Sequence, residues 1–266
     1  AQHRFFLCRQ GRPVIRFHVS YVTLAIISIG AMHRISFAED TAPPVPAQLK
    51  SLVETGNVEI EFYYPSTVKT KYPGHASFYI DVRNQFRYDY QVIVRQKRHH
   101  VRIRPIIQRT TWKLKNTVKL PESYDTPAVW ETDLMLHELD HVAVSSDPRV
   151  RMLMERVFAA ATVIEHPIGP PSELDAATIQ KIIDEEFAKR RDAVIEVVKK
   201  NNQMMDEVSV HGAREIPDRD EFFRKLYSKS RLDDLGFPYL GDVLGLLKTA
   251  KYEKVKLLHH RGMLAE

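Results

Sequence analysis

The chain has 266 residues, 44% of them hydrophobic and 27% charged, with 10 glycines and 15 prolines, which provides for one sizeable core and excludes a disordered or collagen-like chain. The formal charge of +5 comes from the first 38 residues, where Arg4, Arg9, Arg12, Arg16 and Arg34 stand with no acid, and the remaining 34 cations balance 34 acids. Net charge therefore gives no ground for a nucleic-acid partner.

The basic start leads into residues 19–32, an uncharged run of 14 residues rich in Ile, Ala, Leu and Val. That is short of the roughly 20 apolar residues of a membrane span. With the small-x-small exit Ser36-Phe37-Ala38 it fits an export signal. Residues 1–38 are thus expected to be a signal peptide, removed to leave a secreted or periplasmic chain that begins near Glu39. An uncleaved membrane anchor and a buried apolar helix are the alternatives. The single cysteine, Cys8, falls in this segment, so the mature chain would have neither a disulfide nor a cysteine nucleophile. Residues 39–56 follow as a linker and entry segment, Pro-rich over 41–46.

From 57 to 119 the pattern is strand-like. Alternation runs through Val58-Glu59-Ile60-Glu61-Phe62, through Phe78-Tyr79-Ile80-Asp81-Val82, and along the stretch from Tyr88 to Leu114, which predicts four or five antiparallel strands. Within it, residues 95–119, from Arg95 to Lys119, hold nine cations and no acid. In Val101-Arg102-Ile103-Arg104 and Trp112-Lys113-Leu114-Lys115 the cations share one strand face. That face is either simply solvated or a surface for an anionic envelope polymer, a phospholipid or an acidic substrate.

From Pro127 the pattern turns helical, with helices expected near 127–145, 148–163, 173–209 and 218–229. Strands first and helices afterwards indicate one α+β domain over 57–266, an antiparallel sheet followed by a helical half. The first of these helices, with Thr126-Pro127 as its expected start, carries His137-Glu138-Leu139-Asp140-His141, an H-E-x-x-H motif. Trp130, Leu134, Leu136, Leu139, Val142 and Val144 make it apolar almost all round and therefore buried. Polar groups inside a buried helix need partners, since an unpaired one costs several kcal/mol. A divalent metal supplies them: His137 and His141 project from one face a turn apart and can share one Zn2+. Glu138, rotated by about 100°, can take a proton from a water at the metal without ligating it.

Zinc needs a third protein ligand. Asp147 stands ten residues after His137, but it precedes Pro148 and reads better as a helix cap. His166 lies in a Pro-rich loop, and Glu155 has no supporting motif. His211 is the expected ligand: it ends the long helix, beside Gly212, a residue that tolerates a left-handed exit. That helix is expected to start at a capping box of Ser172 and Asp175 and to bury Ile179, Ile183, Phe187, Val194, Val198, Met205 and Val208. Asp206 is read either as an acceptor that orients a ligand histidine from outside the metal shell or as a solvated aspartate. The pairs His99-His100 and His259-His260 are read as exposed.

Two signatures together carry a resemblance. Leu120-Pro121 and Trp130 lead into H-E-x-x-H, and Asp206-x-x-Ser209-x-His211-Gly212 ends the long helix. In this the chain resembles, over roughly residues 57–215, a family of bacterial exported proteins predicted to be zinc-dependent proteases. Met205 stands here where the family has an aromatic residue, and Ser209 where it has threonine. The resemblance implies a zincin-like fold, a Zn2+ site and a protein or peptide substrate. The expectation is thus an exported α+β zinc metallopeptidase with Glu138 as base and His137, His141 and His211 as ligands. The alternative is a non-catalytic envelope protein in which a metal ties the helices and the basic sheet face binds a partner.

Overall fold

Residues 44–66 and 72–258 are described by the computed structural model. The expected signal peptide, the first half of the Pro-rich stretch 41–46 and the His259-His260 pair lie outside them. The entry segment expected to be linker is helical from Ala47: α1 (Ala47–Gly56) buries Leu49 and Leu52 and ends where Asn57 turns left-handed, at φ 46°. Its terminal glycine permits a close approach, because a Cβ on Gly56 would stand 2.6 Å from Val142 Cγ1.

Three strands follow, β1 (Val58–Tyr63), β2 (His75–Arg95) and β3 (Arg98–Pro121). Gln96 and Lys97, with φ 49° and 64°, supply the two left-handed residues of a type I′ hairpin turn. The alternating run from Tyr88 to Leu114 is therefore two limbs of one hairpin. Gln85 pairs with Arg109 and Phe86 with Ile107, so Gln108 is the extra residue of a bulge that bends the hairpin midway. Strand β1 lies on the other side of β3 and runs parallel to it, giving the order β1-β3-β2. The expected all-antiparallel sheet is corrected at this point. Strand β2 occupies one edge of β3, and α1 delivers β1 to the other, where Glu59 meets Lys115 and Glu61 lies 2.7 Å from Lys119.

Helix α2 (Asp133–Ser146) starts at Thr132, whose hydroxyl oxygen accepts from the Met135 N–H, rather than at Thr126-Pro127. Thr132 with Asp133 behind it is as good a cap, with an acid in the first turn. Trp130 is buried in the single 3-10 turn that precedes it. Helix α3 (Pro148–Ala159) stops short of the expected 163, because the β-branched Thr162, Val163 and Ile164 favour extended chain. Strand β4 (Ile164–Pro167) follows and pairs antiparallel with β3 at 100–103.

Helix α4 (Ala176–Ser209) has 34 residues and is about 50 Å long. Asp175 alone caps it, accepting from the Thr178 N–H, while Ser172 belongs to a separate turn. The expected apolar stripe is buried except Val208, which is 38% exposed. The helix expected at 218–229 is shorter, α5 (Arg219–Lys225), and three more follow it, α6 (Lys229–Asp234), α7 (Leu240–Leu247) and α8 (Ala250–Glu253). No helix among the described residues is long and apolar enough to cross a membrane.

The architecture is α+β, and α2 is its centre. It packs against α1, α4, β2 and β3, with Met135, Leu139, Val142 and Val144 wholly buried. Each such side chain stabilises the fold by about 1.5–3 kcal/mol, so the helix that carries the candidate site is rigidly held.

Candidate metal centre

Two helices crossing inside the core build the site, each through a pair of residues four apart. On α2, His137 and His141 stand one turn apart with ring centroids separated by 4.9 Å. On α4, Asn202 and Asp206 have the same spacing and face them. Asn202 Oδ1 lies 2.9 Å from His141 Nδ1, and Asp206 Oδ1 lies 3.1 Å from His141 Nε2 and 3.3 Å from His137 Nε2. An amide oxygen at Nδ1 requires the proton to sit there. In the neutral ring Nε2 of His141 then presents its lone pair to a carboxylate oxygen, an arrangement that either a proton or a metal cation between them resolves. One donor atom from each of His137, His141 and Asp206 lies within 4.8 Å of the others, so this group could hold a metal ion.

The electrostatics follow from the same contacts. Burial opposes ionisation of Asp206, but its hydrogen bonds with His137 and His141 outweigh that and hold its carboxyl well below the usual range. Burial likewise disfavours a charged His141, and the bond to Asp206 with the charges of Glu138 and Asp206 raises its pKa nonetheless. Glu138 is 3% exposed. Burial pushes its carboxyl up to about 7, with the charge of Asp206 adding to the shift and His141 and the Ala76 N–H opposing it. Its Oε2 is buried without a hydrogen-bond partner.

The first residues of β2 roof this carboxylate. Gly74 passes so near that a Cβ there would stand 2.2 Å from Glu138 Oε1, so a larger residue would have to displace the carboxylate. Residues 72–81, His137, Glu138, His141 and the facing side of α4 enclose a cleft of about 1080 Å³. Among the described residues β2 pairs only with β3, which leaves its other edge free.

The expected ligand His211 does not join the group. It is 38% exposed, with Nδ1 3.5 Å from Asp206 Oδ1 and its ring stacked on Tyr72 at 3.9 Å. Helix α4 ends at Ser209, and Val210, His211 and Gly212 are all left-handed, with φ of 50°, 52° and 83°. That exit lays Gly212 against His137, where a Cβ would stand 2.8 Å from the ring, and it leaves the His211 imidazole beside the group. Asp206, still inside the helix, takes the place expected for His211.

Among the other candidates, Asp147 is the expected cap: its carboxylate accepts from the Arg149 N–H at 2.8 Å and forms a buried ion pair with the Arg149 guanidinium. His166 lies on β4 opposite Val101, and Glu155 pairs with Arg151 at the surface. The remaining acid of the motif, Asp140, forms a buried ion pair with Arg219 that ties the segment after α4 to α2.

The structure groups Asp206 with the two histidines, and sequence reasoning did not single out Asn202, Gly74 or Tyr72. The signal available was the spacing of Asn202 and Asp206, which matches that of the histidines. No family model, curated protein or solved structure matches the chain, so the resemblance to exported zinc-dependent proteases rests on the two signatures themselves.

Proposed function

We propose that the chain is a zinc-dependent metallopeptidase in which His137, His141 and Asp206 hold the metal and Glu138 is the general base. The observation that carries this reading is the convergence of three donors beside an unpartnered buried carboxylate oxygen. A tetrahedral zinc site with bonds of about 2.0–2.1 Å has ligand-to-ligand edges of about 3.3 Å, and Asp206 Oδ1 lies 3.1 and 3.3 Å from the two imidazole nitrogens. Zinc supplies, when bound, a water acidified towards neutrality and a Lewis acid for the scissile carbonyl.

The protein's own residues do the rest. Glu138 cannot join the ligands, because its side chain leaves α2 on the adjacent face, but its free oxygen is buried at the floor of the cleft. It accepts the proton of the attacking water and returns it to the leaving amine. Asn202 keeps the His141 tautomer that leaves Nε2 free. The free edge of β2 at 75–81 can pair with an extended peptide backbone. His211, resting on Tyr72 at the mouth of the cleft, is placed to donate to the carbonyl oxygen as it gains charge. A structural metal site would need ligands and no base, and Glu138 is what separates the two functions.

Glu138→Gln tests this. The variant should bind zinc like the parent and should lose about 10²–10⁴-fold or more in peptide hydrolysis. Loss of zinc with the substitution, or undiminished turnover, would refute the assignment.

A further inference from the structure

The outer half of the hairpin carries an apolar row that the helices do not cover. Val101 and Ile103 on β3 are wholly buried, yet Val92 and Tyr90, directly across from them on β2, are 39% and 52% exposed. Val94, opposite His99, is 66% exposed. Among the described residues the covering layer stops at β3 and leaves these side chains of the edge strand exposed.

The opposite face of the same ribbon is cationic. Glu165 neutralises Arg95 and Arg102, and Glu59 and Glu61 occupy Lys115 and Lys119. Arg87, Arg98 and Arg104 are exposed and form no ion pair among the described residues, with Asp89 across from Arg104 as the nearest opposing charge in the register. Ile106, 56% exposed, sits opposite Arg87. Strand β4 lies on the far side of β3, and among the described residues no strand pairs with the outer edge of β2, so a surface approached along β2 meets both faces of that strand.

We propose that this part of the hairpin docks on an anionic phospholipid bilayer, with Tyr90, Val92 and Val94 entering the interface and Arg87, Arg98 and Arg104 on headgroup phosphates. Charge complementarity selects the partner. A purely polar polyanion would engage the arginines and leave the aliphatic row in water. A second copy paired along β2 would cover that row but bring like charges together. An anionic bilayer satisfies both, since cations bind its surface and exposed apolar side chains with an interfacial tyrosine enter it. The docking residues on β2, Arg87 to Val94, lie roughly 20–45 Å along the strand from the cleft residue Asp81, so the cleft stays open to substrate.

The test uses the full chain with Cys8→Ser and Val94→Cys, labelled with an environment-sensitive fluorophore and mixed with phosphatidylcholine vesicles with or without phosphatidylglycerol. Because the label reports the hairpin itself, binding through residues 1–38 does not mimic the signal. The emission should shift to the blue only with phosphatidylglycerol and return as salt is raised. A label at Glu253, on the exposed side of α8, should not shift. Replacing Arg87, Arg98 and Arg104 with Gln should weaken the interaction by about fivefold per cation, roughly a hundredfold in all, with the melting temperature unchanged. A label that stays in water while the chain sediments with vesicles would overturn the proposal. So would an equal shift on phosphatidylcholine alone, or a lipid-independent shift that grows with protein concentration and assigns the row to a second copy.

Discussion

Exchanging the proposed third ligand tests the centre most directly, because three neighbouring residues stand in different relations to the two histidines. Asp206 gives one carboxylate oxygen to both imidazole nitrogens, at 3.1 and 3.3 Å. Asn202 touches only Nδ1 of His141, and His211 stands 3.5 Å from Asp206 on the cleft side. Asn202→Ala removes an outer partner that fixes the tautomer, which costs about 10–100-fold in affinity. Asp206→Asn keeps the shape and removes a charged donor from the shell. It should cost more than that range, upwards of about 2.7 kcal/mol at 1.4 kcal/mol per tenfold. His211→Ala should change zinc affinity by less than about tenfold and should lower hydrolysis instead, at the scale of one lost oxyanion donor, about 10²–10³-fold. Competition with a chromophoric chelator measures the three affinities, and peptide turnover at saturating zinc measures the rest. If His211→Ala released the metal while Asp206→Asn retained it, the ligand set drawn from the geometry would be wrong and His211 would be restored as the ligand.

The remaining expectations concern the frame around the centre. Gly74→Ala places a Cβ 2.2 Å from Glu138 Oε1, so hydrolysis should fall while zinc affinity stays near that of the parent; chelator competition and turnover on one preparation separate the two. Gly212→Ala is strained at φ 83° and presses on His137, so it should lower both the melting temperature, by a few kcal/mol of stability, and zinc affinity. Asp147→Ala leaves the Arg149 guanidinium buried without its partner, which should destabilise by about 3–5 kcal/mol in denaturant melts with zinc affinity unchanged; altered affinity would return Asp147 to the candidate ligands. The leader is expected to be cleaved, so sequencing protein recovered outside the cytoplasm should give an N-terminus within a few residues of Glu39, and recovery of the intact chain in membranes would favour the anchor.

What the sequence made legible was local. The spacing of His137 and His141, the cap at Asp147 and the buried faces of α2 and α4 all follow from periodicity and side-chain chemistry within one element. The errors lie where two elements compete for the same residues. Thr126-Pro127 and Thr132-Asp133 are both plausible helix starts, and only the burial of Trp130 in the intervening turn decides between them. Strand β1 alternates like an antiparallel strand, since alternation records which face is buried and carries no direction. Its direction is set by α1, a helix in a stretch that composition marks as linker.

The centre shows the same division. H-E-x-x-H fixes two imidazoles on one helix face, and the third ligand depends on where a second helix crosses the first and on its rotation about its own axis. Over the 34 residues of α4, one residue step turns a side chain by about 100°. Asp206 and His211 are five apart, and in an uninterrupted helix they would point in directions about 140° apart, so both could not address one metal. The left-handed run through Val210, His211 and Gly212 is what brings His211 back beside Asp206. The exit that sequence reasoning took as the means of delivering a ligand instead puts Gly212 on His137 and stacks His211 on Tyr72 at the cleft. A helix-terminal histidine is held by a turn, whereas Asp206 is held by the buried stripe of α4, with Met205 beside it wholly buried. On the proposed reading the position inside the helix carries the metal, and the one at its exit meets the substrate.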